Sequence, residues 1–154
     1  MAKRKTGKDA GLAGLEMLSN GLLVRKSDME VVGIHRCADK NDLKHLVIPE
    51  GVKSIGGNVF SRHSEIISVN FPESLEKIGS SSFCMCNRLQ TVSIPKNVKI
   101  IKAYAFQGCD HLAEVKLNEG LLVVEDYAFA GTEVAKLDLP ASVRALGDNA
   151  LANV

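Results

Sequence analysis

IIKAYAFQGCDHLAEVKL, residues 100–117, and KIGSSSFCMCNRLQTVSI, residues 77–94, carry the same residue types in the same order, 23 positions apart. In each, a Phe is followed three residues later by a Cys, then by a Leu, then by two aliphatic residues in alternation. Working outward in both directions extends the pattern to five units. They are LKHLVIPEGVKSIGGNVFSRHSE from Leu43, IISVNFPESLEKIGSSSFCMCNR from Ile66, LQTVSIPKNVKIIKAYAFQGCDH from Leu89, LAEVKLNEGLLVVEDYAFAG and its connection from Leu112, and VAKLDLPASVRALGDNALANV from Val134. The last starts one residue early, so the segment after Gly131 carries a deletion. A fixed period of this length marks stacked structural units.

Aligned, the units form apolar columns. One holds Leu46, Val69, Val92, Val115 and Leu137, and the next Ile48, Phe71, Ile94, Leu117 and Leu139. A third holds Val52, Leu75, Val98, Leu121 and Val143, and a fourth Ile55, Ile78, Ile101, Val124 and Leu146. The fifth holds Phe60, Phe83, Phe106, Phe129 and Leu151. Alternation of the first two columns puts both on one face of a strand. Pro49, Pro72, Pro95 and Pro140 then end that strand, because proline cannot extend the hydrogen-bonded ladder; Asn118 is the exception. The spacing of three from Val98 to Ile101 predicts a second inward crossing, and the Phe plugs the interior at a bend expected to be a short helical turn. One unit cannot cover its own apolar faces. Stacked units cover each other's and pair their strands at about 4.8 Å.

Leu89, Val92, Ile94, Pro95, Val98, Ile101, Ala105, Phe106 and Cys109 follow the pattern of the BspA-like (bacterial surface antigen type) leucine-rich repeats, which these units resemble. Lys102 departs from the Gly of that pattern, which Gly56, Gly79 and Gly147 keep. The resemblance covers residues 43–154. It implies a leucine-rich repeat solenoid, right-handed, of about five 23-residue rungs, with a parallel β-sheet on one face and short helical turns opposite. It also implies a binding role, and it supplies no catalytic residues.

Composition narrows the function. The 154 residues are 45% hydrophobic, 24% charged and only 5% aromatic, with no Trp, so the core is mostly aliphatic. A net charge of +1 argues against a dedicated nucleic-acid binder, whose affinity comes from basic excess. No apolar run reaches the 18 or so residues of a membrane span. The basic start MAKRKTGKDAGLAGLEML is interrupted by Lys8, Asp9 and Glu16, so it makes no secretory h-region and a cytoplasmic location is expected. Residues 1–8 read as a disordered basic tail, and residues 9–42 as an N-terminal cap. Within the cap a short helix is expected over residues 10–18, followed by a hairpin turning at Ser27-Asp28. Residue 154 falls inside the fifth unit, with no polar capping unit after it, which suggests truncation or contact with another chain there. A fragment of a surface adhesin is the alternative that the family offers.

No constellation predicts catalysis. His35, His45, His63 and His111 fall in different columns, and the IGG and IGSS segments are repeat turns rather than phosphate loops. His63, Cys86, Cys109 and Thr132 share one column, so a zinc site is conceivable there, but a ladder of buried small residues explains the column better. Cys37, Cys84, Cys86 and Cys109 are expected to be buried free thiols. No metal or cofactor is expected. The side chains between the inward columns of the sheet are polar and mixed, without aromatic anchors. A second stripe is richer: Ile100 and Val123 share a column, as do Lys99 and Leu122, and Tyr104 and Tyr127. These six residues, rimmed by charge, are the expected protein interface, and the expected partner is a protein or, as a homodimer, a second copy.

Overall fold

The computed structural model describes residues 13–154, so the expected basic tail lies outside the described residues. In chain order these residues form β1 (Leu15–Met17), β2 (Leu22–Arg25), β3 (Glu30–Ile34) and the single-turn helix α1 (Lys40–Lys44). Each of the first four rungs then contributes a strand to one sheet: β4 (His45–Val47), β6 (Ser68–Asn70), β8 (Thr91–Ser93) and β10 (Glu114–Lys116). A two-residue strand follows in all five rungs: β5 (Ser54–Ile55), β7 (Lys77–Ile78), β9 (Ile100–Ile101), β11 (Val123–Val124) and β12 (Ala145–Leu146).

The first set pairs in parallel in the order β10-β8-β6-β4, with Leu46 beside Val69 and Val92 beside Val115. The two-residue strands also pair in parallel, one rung to the next, and β3 joins them through Val31 beside Ile55. The solenoid therefore has two parallel ladders, not one. In the second, N–H groups donate back to the preceding rung: Gly56 to the Val31 oxygen at 2.8 Å, Lys102 to Ile78 at 3.0 Å and Gly147 to Val124 at 2.7 Å.

The expected helical turns are replaced by a third ladder. Asn58 and Arg62, Ser81 and Met85, Tyr104 and Gly108, Tyr127 and Gly131, and Asn149 and Asn153 all have φ between +53° and +70°. A left-handed residue at every fourth position ends any helix before it starts. It also swings alternate N–H groups out of the rung. Asn58, Phe60 and Arg62 donate forward to the oxygens of Ser80, Ser82 and Cys84 at 2.8–3.0 Å. Ser61 and His63 close turns inside the rung. The same three forward bonds recur up to Tyr127, Phe129 and Gly131, which donate to Asp148, Ala150 and Ala152.

Inside, Phe60, Phe83, Phe106 and Phe129 stack with centroids 5.0, 5.4 and 5.3 Å apart, and Phe71 meets Phe83 edge-on at 5.7 Å. The aliphatic columns surround them, buried through the first four rungs except at Val69, Val115 and Leu117, which are half-buried.

Two expectations at the ends need correction. Residues 10–18 do not form the expected helix where they are described. Gly14 takes φ +79°, and Leu15–Met17 pairs antiparallel with β2 instead. β2 and β3 are also antiparallel, with Val24 beside Val31. In the fifth rung, residues 136–138 form no strand on β10. The one-residue deletion in the connection shifts this segment out of register and leaves Leu139 38% exposed; Leu146 keeps its register beside Val124 and is 48% exposed on the fifth rung.

Candidate interaction surface

A strand of two residues turns one side chain in and one out. Ile101 and Val124 are fully buried, so Ile100 and Val123 face outward, half-buried and in direct register. Lys77 and Ala145 flank them in the neighbouring rungs. The chain thus brings Ile100 and Val123 together as the alignment predicts. Leu122 is half-buried and donates its N–H to the Lys99 oxygen at 2.9 Å. Lys99 is exposed, with its ammonium beside the Gly120 corner.

Tyr104 and Tyr127 occupy the left-handed position in adjacent rungs, which sets their rings parallel within 4° at 5.3 Å. The Tyr127 hydroxyl accepts from Asn149 Nδ2 at 3.1 Å. Between this pair and the aliphatic stripe lies an ion pair, Lys102 Nζ to Glu125 Oε1 at 3.0 Å. The second Glu125 oxygen accepts the Ala103 N–H at 3.0 Å, so the carboxylate is held by backbone as well as by charge. Met85, 45% exposed, was not singled out by sequence reasoning. The signal was present: Met85 shares its column with Gly108 and Gly131, and a glycine there flags a left-handed, outward position.

The face of the four-stranded sheet is polar. His45 Nδ1 and Ser68 Oγ lie 2.8 Å apart across adjacent strands. A depression of about 250 Å³ is lined by Thr91, Ser93, Glu114 and Lys116. The His45–Ser68 pair is exposed, and among the described residues no acid is hydrogen-bonded to the histidine, so it lacks the parts of an activated nucleophile.

The shared column of His63, Cys86, Cys109 and Thr132 is a set of staples. The Cys86 thiol donates to the Phe60 oxygen at 3.0 Å and Cys109 to Phe83 at 3.1 Å, each one rung back. Thr132 donates to Phe129 of its own rung at 3.1 Å. Burial pushes the Cys86 thiol up to about 12 and raises Cys109 as well, so both stay protonated. His63 is turned to Glu65, at 2.8 Å. Cys37 is exposed and Cys84 half-buried, contrary to the expectation that all four thiols are interior, because neither lies in an inward column. Among the described residues no three His, Cys, Asp or Glu side chains cluster as metal ligands, and no helix is long and apolar enough to cross a membrane.

The model of the BspA type leucine rich repeat region matches residues 32–154 in six copies. A leucine rich repeat protein of T. pallidum, TpLRR, is similar at 33% identity and a TM-score of 0.61, over 65% of this chain and 47% of its own. One from Bacteroides ovatus is similar at 33% identity and a TM-score of 0.64, over 68% of this chain and 27% of its own. The chain thus spans about half of one and a quarter of the other. The pneumococcal vaccine antigen PcpA shares the fold at 20% identity and a TM-score of 0.54, over 90% of this chain and 28% of its own. No curated protein matches the chain.

Proposed function

Because the chain belongs to the BspA type leucine rich repeat family, we propose that it is a non-catalytic protein-interaction module that binds through the stripe on its third and fourth rungs. The observation that carries this reading is the outward alignment of Ile100 with Val123 beside the stacked Tyr104 and Tyr127. Leu122 and Lys99 complete the stripe. The mechanism is rigid display. Each side chain stands on a backbone held to both neighbouring rungs by hydrogen bonds, so little freedom remains to be lost on binding. Aromatic and aliphatic anchors with a charged rim match the usual anatomy of an interface core.

The test is capture of partners from host lysate, identified by mass spectrometry. A variant carrying Val123→Asp and Tyr127→Ala should lose the partners that the wild type retains, while its circular dichroism stays unchanged. Equal capture by both proteins removes the stripe as the interface.

A second reading, self-assembly, is favoured by the exposure of Leu139 and Leu146 on the fifth rung. Sedimentation equilibrium decides it: a concentration-dependent dimer that Leu146→Asp abolishes supports self-assembly, and a strict monomer dismisses it.

A further inference from the structure

We propose that the outward column of Asn58, Ser81, Tyr104, Tyr127 and Asn149 contains a vacant step at Ser81 that takes a tyrosine side chain of a protein partner. The proposal rests on the reading of the neighbouring stripe as a protein interface, and it names the chemistry that interface selects.

All five residues have nearly the same left-handed backbone, φ +53° to +61°, so their Cβ atoms project alike from successive rungs. One face of the Tyr104 ring is covered by Tyr127 at 5.3 Å. The opposite face looks toward the second rung, where the column holds only a serine. Tyr104 is accordingly 39% exposed while Tyr127 is half-buried. One rung further, Asn58 is exposed in the same column. The result is a slot two rung spacings wide, with an aromatic face on one side, an amide on the other and a hydroxyl at its floor. One flat ring fits between them, at the spacing the two tyrosines already show. The side chains of Asn58, Ser81 and Tyr104 make no hydrogen bond among the described residues, so their polar groups are available to a ligand.

The far end of the column indicates which ring. There Asn149 donates to the hydroxyl of Tyr127 one rung away, at 3.1 Å. A phenol stacked on the open face of Tyr104 lies between that ring and Asn58, the mirror of Tyr127 between Tyr104 and Asn149, so its hydroxyl can accept from the Asn58 amide. A phenylalanine ring gains the stacking alone. A sugar ring gains hydrogen bonds but stacks with a puckered face. Tyrosine is the side chain that uses both walls.

The probe is N-acetyl-L-tyrosinamide, titrated against the chain and followed by amide NMR. Saturable shifts are expected at Asn58, Ser81 and Tyr104, with a dissociation constant of about 1–10 mM, as befits a single ring. N-acetyl-L-phenylalaninamide should bind about 2–10-fold more weakly, the equivalent of one lost hydrogen bond. Ser81→Tyr fills the step from within and should abolish the shifts. Asn58→Gly, which removes the amide and accepts the same left-handed backbone, should bring the tyrosine probe down to the phenylalanine level. No saturable shift, equal binding of the two probes, binding that survives Ser81→Tyr, or tighter binding of methyl β-D-glucopyranoside overturns the proposal. Ser81→Tyr leaves Ile100, Leu122 and Val123 untouched. Partner capture that survives Ser81→Tyr but is lost with Val123→Asp therefore rejects the slot and keeps the stripe.

Discussion

Cys86 and Cys109 look like ligands by spacing and behave as donors by position. Their thiols are buried and bonded to carbonyls, and burial holds both above the ordinary thiol range. In the unfolded chain a thiol ionises near pH 8.5, about where stability should begin to fall. A folded-state value raised in this way gives stability that is complete below the unfolded value and is lost as pH rises toward about 12. The expected loss between pH 9 and 10, under reducing conditions, is about 2–3 kcal/mol greater for the wild type than for a Cys86→Ala, Cys109→Ala variant. Urea midpoints at the two pH values check it. Ser82 offers the opposite case. It is fully buried in a column that holds Val59, Ala105, Ala128 and Ala150 in the other rungs, and its hydroxyl has no partner among the described residues. Ser82→Ala should therefore stabilise the chain, by about 1 kcal/mol. Neither role was legible in the sequence alone. A Cys in a repeat column does not say whether its thiol meets a metal, another sulfur or a carbonyl, and Asn118 in the proline column does not announce that its amide reaches back to the Ile94 and Pro95 oxygens.

At the scale of elements, the strands were legible and the turns were not. Alternation of Val92 with Ile94, closed by Pro95, fixes a strand because it has period two. The phenylalanine column fixes only that something points inward. A helical turn and a left-handed ladder both satisfy that, and the structure chooses the ladder because it sends three N–H groups per rung to the next rung's oxygens. Asn58, Gly108, Gly131, Asn149 and Asn153, residue types that tolerate positive φ, were the available clue. The N-terminal helix failed for the same reason, at Gly14. The phenylalanine stack binds these turns to the core. Phe83 touches three aromatic rings and is fully buried, so Phe83→Ala should cost about 3–5 kcal/mol by urea denaturation.

Over the whole molecule, the period made the architecture and the alignment of the candidate stripe readable before any coordinate. Which rung would lose its strand was not readable, because a one-residue deletion shows in the sequence but its effect on pairing depends on the chain around it. A solenoid's stability is a sum over rungs and their contacts. Equivalent positions should then differ according to how many neighbours cover them. Ile94, 3% exposed in the third rung, and Leu139, 38% exposed in the fifth, share a column. Ile94→Ala should cost about 2–5 kcal/mol and Leu139→Ala less than about 1 kcal/mol. Hydrogen exchange should show the same gradient, with the amides of residues 145–153 opening ahead of those in the second and third rungs.

The backbone hydrogen bonds between rungs run both ways along the stack. Turn N–H groups aim toward the fifth rung, while those of Gly56, Lys102 and Gly147 aim toward the first. An α-helix aligns every peptide dipole and accumulates partial charge at its ends. Here bonds of opposite sense lie side by side along one axis, so stacking another coil adds length without aligning every peptide dipole.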